Sequence, residues 1–213
     1  MSISETFRYD GTVEVDTSNY RKHMSDNPVQ RTLIDRFHRK IAGIVQDLEP
    51  DTLLDAGSGE GFVADTFLKA MPEARITGFD LLEESVKLAQ LRNPRASFSV
   101  GDIYNIDHPD KSFDVVYSFE VLEHLEDPQR ALKELTRVAT HAVMLSVPHE
   151  PFFCLANASR GKNLDVRPRG SDPDHRNFWS RGAFGTFVEQ EMDVEQLTGS
   201  FPWTICVGRP RSR

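Results

Sequence analysis

The chain has 213 residues, with 25 Lys plus Arg against 33 Asp plus Glu and a formal charge of −8. That length suits one domain, and a hydrophobic content of 38% suffices for a single sizeable core. The acidic balance disfavours nucleic acids and anionic membranes as partners. Cys154 and Cys206 form no metal spacing and no disulfide framework, as expected in a reducing compartment. Met1 to Gly11 lacks the apolar core of a secretory signal, and no apolar run is long enough for a transmembrane segment, so the chain reads as cytoplasmic.

Residues 1–26 are polar and without period, and read as an N-terminal arm. Asn27 is a candidate N-cap with Pro28 at the first helical position. Val29, Leu33, Phe37, Ile41, Val45 and Leu48 then predict one face of an amphipathic helix. Beyond it, β-rich runs alternate with helical ones. Strands are expected at Thr52 to Ala56, Arg75 to Asp80, Ala96 to Asp102, Phe113 to Glu120 and Ala142 to Pro148. Helices are expected between them at Glu60 to Ala70, Glu83 to Asn93 and Pro128 to Ala139, the last capped by Asp127. Such alternation implies a parallel sheet with helices on both faces.

The region 149–178 breaks the pattern and reads as a substrate-side loop or lid. Ser180 then caps a helix carrying Phe184, Phe187 and Val188, and Met192 to Thr198 and Trp203 to Val207 form a closing antiparallel hairpin. The expected fold is α/β: a Rossmann-like, seven-stranded, mostly parallel sheet within one domain spanning residues 27–213.

The first chemical constellation is Asp55-x-Gly57-x-Gly59-x-Gly61, after an apolar strand and opening a helix. Glycines permit positive φ and close approach of a ligand, and the following helix offers N–H groups to an anion. A dinucleotide loop would need glycine where Phe62 stands, so a pyrophosphate fit fails by one residue. Asp55, at the strand end, suits a cationic ligand portion instead. Asp80 closes the second strand, where a carboxylate can accept from vicinal ribose hydroxyls. Gly101-Asp102-Ile103 closes the third, where Asp102 can accept from an adenine amino group and Ile103 can pack on its ring. Ligands of open parallel sheets sit outside such carboxyl ends.

These residues resemble the class I S-adenosylmethionine-dependent methyltransferases over roughly Tyr20 to Arg209. The stretch Phe113-Asp114-Val115-Val116-Tyr117-Ser118-Phe119-Glu120-Val121-Leu122-Glu123-His124 is similar to ubiquinone-biosynthesis-type O-methyltransferases of the type 11/12 branch. The resemblance implies S-adenosyl-L-methionine as cofactor, with Asp55, Gly57, Ser58, Gly59 and Gly61 around its methionine part. It places Asp80 and Leu81 at the ribose, Asp102 and Ile103 at the adenine, and Phe119 and Glu120 on the methionine side.

A second constellation is Glu120-x-x-Glu123-His124, which His175 can join. Two carboxylates and two imidazoles can bind a divalent metal such as Mg, orienting and acidifying a substrate hydroxyl. The arrangement looks like that in ubiquinone-type O-methyltransferases and in metal-using small-RNA 2′-O-methyltransferases. The metal-free reading is preferred, with a neutral His124 or His175 as general base. Alignment of nucleophile and methyl supplies most of the catalysis in that reading.

Acceptor recognition is expected in the arm with Tyr20 and His23, in the helix from Asn27, and in the loop from Pro151 to Asn177. In that loop Phe152, Phe153 and Leu155 offer apolar surface, and Arg160, Lys162, Arg167 and Arg169 offer positive charge. Arg209, Arg211 and Arg213 read as a solvated tail. The expected activity is methyl transfer to a small or lipid-linked metabolite, chiefly at a hydroxyl. The alternatives are a metal-assisted RNA 2′-O-methyltransferase, which the net charge opposes, and a non-catalytic cofactor-binding sensor or subunit. A nicotinamide-dependent dehydrogenase is opposed by Phe62.

Overall fold

The structure is a computed structural model describing residues 7–9, 13–15, 17–149, 154 and 173–211. Its strands form a two-stranded sheet, β1 (Phe7–Tyr9) with β2 (Val13–Val15), and a seven-stranded sheet. The seven are β3 (Thr52–Ala56), β4 (Arg75–Asp80), β5 (Ser97–Val100), β6 (Phe113–Phe119), β7 (Ala139–Pro148), β8 (Met192–Ser200) and β9 (Trp203–Pro210). Their order is β5-β4-β3-β6-β7-β9-β8. β4 pairs in parallel with β3 and β5, and β6 in parallel with β7. The last strand, β9, inserts between β7 and β8, antiparallel to both. This is the expected mostly parallel sheet with its closing hairpin. The chain divides into two compact units, residues 1–107 and 108–213.

In the first unit, α1 (Ser18–His23) and α2 (Pro28–Leu48) precede β3. Within residues 1–26, read as an N-terminal arm, the described residues form a helix and a strand pair. Six residues show no usable apolar period, and a helix that short forms only when docked, so sequence periodicity misses it. α2 starts where its cap signals placed it: Asn27 accepts from Val29 N and Gln30 N, and Pro28 occupies the first turn. Its buried face is Ile34, Phe37, Ile41 and Val45; Val29, read as core, is 67% exposed in the first turn. Leu53 and Leu54 on β3 are fully buried, as a strand covered on both faces requires. α3 (Phe62–Ala70) and α4 (Glu83–Arg92) complete the alternation.

Gly43 lies inside α2 with open space where a Cβ would stand. Gly43→Ala is expected to raise stability by about 0.5–1 kcal/mol, read as a higher urea midpoint.

In the second unit, α5 (Pro128–Val138) buries Ala131, Leu132, Leu135 and Val138. Asp127 accepts from Arg130 N at its start. α6 (Arg181–Val188) is capped by Ser180, which accepts from Ala183 N, and buries Phe184 and Val188. Arg209 belongs to β9 and pairs with Glu195, and Arg211 pairs with Asp193; both were read as a solvated tail. Pairing across adjacent strands accounts for their placement. No helix among the described residues is long and apolar enough to cross a membrane.

Candidate functional site

The glycine loop follows β3 in the first unit. Gly57, Gly59 and Gly61 have φ of 81°, 51° and 75°, the left-handed region that side chains disfavour. The turn is closed by backbone bonds: Gly57 N and Ser58 N both donate to Phe79 O, and Gly61 N donates to Ser58 O. Asp80, at the end of β4, holds the loop from the side. Its Oδ2 accepts from Gly59 N at 2.8 Å and its Oδ1 from Leu82 N at 3.0 Å. Each carboxylate oxygen has capacity for a second donor, so the ribose role read from sequence stays chemically open while Asp80 also shapes the loop.

Asp55 is 3% exposed at the end of β3. The Ser58 hydroxyl oxygen is buried with no hydrogen-bond partner among the described residues. α3 begins at Gly61 without a side-chain cap. An orphaned hydroxyl, an uncapped helix start and a strand-end carboxylate together fit an amino-acid chain bearing both ammonium and carboxylate groups. The residues present therefore fit S-adenosylmethionine.

Further along, Gly101 N donates to Asp80 O, and Asp102 accepts from Tyr104 N at 2.8 Å while bridging to Asn105. Ile103 is 8% exposed, whereas Leu81 is 73% exposed. Asp102 thus turns the chain after β5 through a local side-chain bond, leaving acceptor capacity on its carboxylate.

Glu60, in the same loop, is 1% exposed, and the sequence assigns it no role beyond the start of the following helix. Its Oε1 accepts from the Thr17 hydroxyl, its Oε2 from Asn19 Nδ2 at 2.6 Å, and its backbone O from Arg92 Nε at 2.9 Å. No local pattern signals partners 43 and 41 residues away.

In the second unit, Phe119 ends β6 and its ring lies 5.5 Å from that of Tyr117. Glu120 follows with φ of 59°, uncommon for a residue with a side chain and frequent at functional sites. Trp203 Nε1 donates to Glu120 Oε2 at 2.6 Å, Ser146 Oγ donates to Oε1 at 3.2 Å, and Glu120 N donates to Ser146 O. The four-residue constellation expected from sequence therefore does not form. Glu123, His124 and His175 gather with one ligand atom each within 4.8 Å of the others, and Glu120 stands outside this group. Its carboxylate is turned to Trp203 and Ser146 instead.

The group is assembled by backbone. A 3-10 turn, Leu122–His124, presents Glu123 and His124, and the arriving segment is stitched to it. Arg176 N and Asn177 N donate to Glu123 O at 2.7 and 3.0 Å, and Asn177 Nδ2 donates to Leu122 O and Leu125 O. His124 Nδ1 lies 3.1 Å from Asp174 O. A carbonyl only accepts, so this bond puts the proton on Nδ1 and makes Nε2 the basic nitrogen of the ring. The His124 and His175 rings meet edge to face at 4.9 Å. Burial pushes the Cys206 thiol up to about 12, so it offers no thiolate near neutrality. Phe152, Phe153, Leu155, Arg160, Lys162, Arg167, Arg169 and Arg213 lie outside the described residues.

Residues 54–145 match the model of a family described as a methyltransferase domain. The chain is 40% identical over 118 residues to a probable S-adenosylmethionine-dependent methyltransferase of Mycolicibacterium smegmatis, covering 54% of this chain and 43% of that one. It is 28% identical over 103 residues to a demethylmenaquinone methyltransferase of Thermotoga maritima, covering 48% and 45%. The chain spans less than half the length of these curated relatives. In fold it is similar to a SAM-dependent methyltransferase structure from Aquifex aeolicus, at TM-score 0.65 and 18% identity, over 90% of this chain and 98% of that one.

Proposed function

We propose that the chain, whose residues 54–145 match a methyltransferase-domain family, is an S-adenosylmethionine-dependent methyltransferase that methylates a hydroxyl of a small or lipid-linked metabolite. Residues 27–213 act in this reading as the catalytic domain, 1–26 as its arm and 149–178 as the acceptor-side loop. The observation that carries the reading is the glycine loop held by Asp80, with the Ser58 hydroxyl buried and unpartnered among the described residues. Asp55, Gly57, Ser58, Gly59 and Gly61 take the methionine part of the cofactor, Asp80 and Leu81 the ribose, and Asp102 and Ile103 the adenine. The likeness to a demethylmenaquinone methyltransferase supports a lipid-linked acceptor.

S-adenosylmethionine, when bound, supplies an electrophilic methyl group. The acceptor hydroxyl must lose a proton as it attacks, and His124 Nε2, with its lone pair directed away from the Asp174 bond, takes it; His175 steadies the ring edge to face. Alignment contributes the larger share of the rate, since displacement at a sulfonium needs no covalent help. His124→Ala is expected to lower kcat about a hundredfold with the cofactor affinity unchanged.

A second reading is favoured by the clustering of Glu123, His124 and His175. One carboxylate and two imidazoles suit Mn²⁺, Fe²⁺, Co²⁺ or Zn²⁺ better than the all-oxygen preference of Mg²⁺. Such an ion would acidify the acceptor hydroxyl. An RNA acceptor is opposed in either reading by the charge of −8.

An acceptor screen with labelled S-adenosylmethionine separates the readings. Activity that survives chelator and falls in His124→Ala supports the imidazole base. Activity abolished by chelator and restored by one divalent ion supports the metal. Cofactor binding without turnover across the panel would mark a sensor or subunit, and absence of calorimetric binding would sink all of these.

A further inference from the structure

The polar network of the first unit is more than a support for the glycine loop. Thr17, at the N-cap of α1, and Asn19, on its first turn, both bond the buried Glu60 carboxylate. A Cβ built on Gly59 would meet Asn19 Nδ2 at 3.1 Å, so the helix stands directly on the loop. The His23 ring stacks on Phe62, the first residue of α3, at 4.0 Å and 10°. His23 Nε2 lies 3.2 Å from His38 Nε2 on α2, and His38 Nδ1 lies 2.5 Å from Thr66 Oγ1 on α3.

The proton positions in this chain follow from its ends. His23 Nδ1 lies 3.0 Å from Asn19 O, which only accepts, so His23 carries its proton there. Its Nε2 is then an acceptor, and His38 must donate from Nε2. His38 Nδ1 is left to accept from the Thr66 hydroxyl. With both imidazoles neutral, the single Thr66 hydroxyl proton serves either His38 Nδ1 or Phe62 O. One added proton is accommodated, because His38 Nδ1–H can donate to Thr66 Oγ1 while the hydroxyl turns to Phe62 O; only a second sets two N–H groups against each other across 3.2 Å. The charged groups around the pair are Lys22 on α1, Asp35 on α2, Asp65 on α3 and Arg92 on α4. Two are cations and two are carboxylates, so they do not favour imidazolium strongly.

We propose that α1 is a cover over the cofactor loop, latched by the Glu60 carboxylate, so that cofactor exchange requires the latch to open. The proposal rests on the reading of this loop as the S-adenosylmethionine site. A six-residue helix has no stability of its own; it is held by the polar bonds to Glu60 together with the buried Tyr20 and the His23 ring against Phe62. The segment Met24 to Asn27 that joins it to α2 contains the exposed Met24 and can serve as the hinge. Segments attached this way open at low cost while the core stays folded. Burial lowers His23 to about 3 and His38 to about 4, in keeping with a neutral closed form.

Glu60 is a positioning residue in this scheme, and the test reads exchange rather than chemistry. Dissociation of S-adenosylhomocysteine is followed by stopped flow in wild type, in Glu60→Gln, and in the arm-side double variant Thr17→Ala/Asn19→Ala. The double variant leaves the loop sequence intact should Glu60→Gln fail to fold. The dissociation rate is expected to rise about tenfold or more in each folded variant, with faster hydrogen exchange over residues 17–23. Wild-type dissociation rates in both variants, with normal binding, would overturn the cover alone. No binding by wild type would overturn the cofactor reading, and the cover with it.

Discussion

Asp80→Ala is expected to weaken binding of S-adenosylhomocysteine by about two orders of magnitude or more. The carboxylate holds Gly59 N at 2.8 Å and Leu82 N at 3.0 Å, and these bonds fix the loop on one side and the turn into α4 on the other. A hydrogen bond to a charged group contributes about 1.5–3 kcal/mol, and tenfold in affinity corresponds to about 1.4 kcal/mol. Losing one loop bond therefore costs about tenfold to a hundredfold through preorganisation alone. Loss of the ribose acceptors adds to it. Asp80→Asn keeps the shape and one acceptor, and should fall between the two. Titration calorimetry on variants with native circular dichroism gives the values. An Asp80→Ala affinity within about threefold of wild type would show that neither the loop tie nor the ribose contact matters.

Gly61→Ala should be among the most destabilising single substitutions in the first unit. The residue sits at φ 75°, where a side chain costs about 1–2 kcal/mol. A Cβ there would also meet Asn93 Nδ2 at 2.5 Å and Ala89 Cα at 2.9 Å. Asn93 cannot swing aside cheaply, since it is 2% exposed and donates to both Gly61 O and Ala89 O. Overpacking of this kind costs about 1–3 kcal/mol, for a total of about 2–5 kcal/mol. The measurement is the urea unfolding midpoint, compared with Gly43→Ala, where the same change meets open space. A loss below about 1 kcal/mol at Gly61 would mean that the loop relaxes away from α4 freely.

The same glycine shows how sequence and structure divided the work. Its place in Asp55-x-Gly57-x-Gly59-x-Gly61 marked it as a turn residue from the sequence. That it also admits α4 beside α3, through Asn93 and Ala89, became visible only in three dimensions. Asp80 behaves likewise. Its position at a strand end was legible, while its bond to Gly59, 21 residues earlier, was not. Glu120 illustrates the opposite error. Spacing grouped it with Glu123 and His124, but Trp203, arriving from β9, captures its carboxylate.

What the sequence determined by itself is the local chemistry: where helices begin at Asn27, Asp127 and Ser180, where strands and helices alternate, and which loop is glycine-bound. Those features depend on caps, periodicity and backbone freedom within a few residues, and they are enough to locate the seven strands along the chain, though not their order in the sheet. The tertiary structure alone decided which polar groups meet. It placed Thr17 and Asn19 on Glu60, His23 on His38, and His175 beside Glu123 and His124. Such pairs join residues tens of positions apart, and burial makes their geometry decisive because an unmet polar group there is costly. No local pattern encodes that choice.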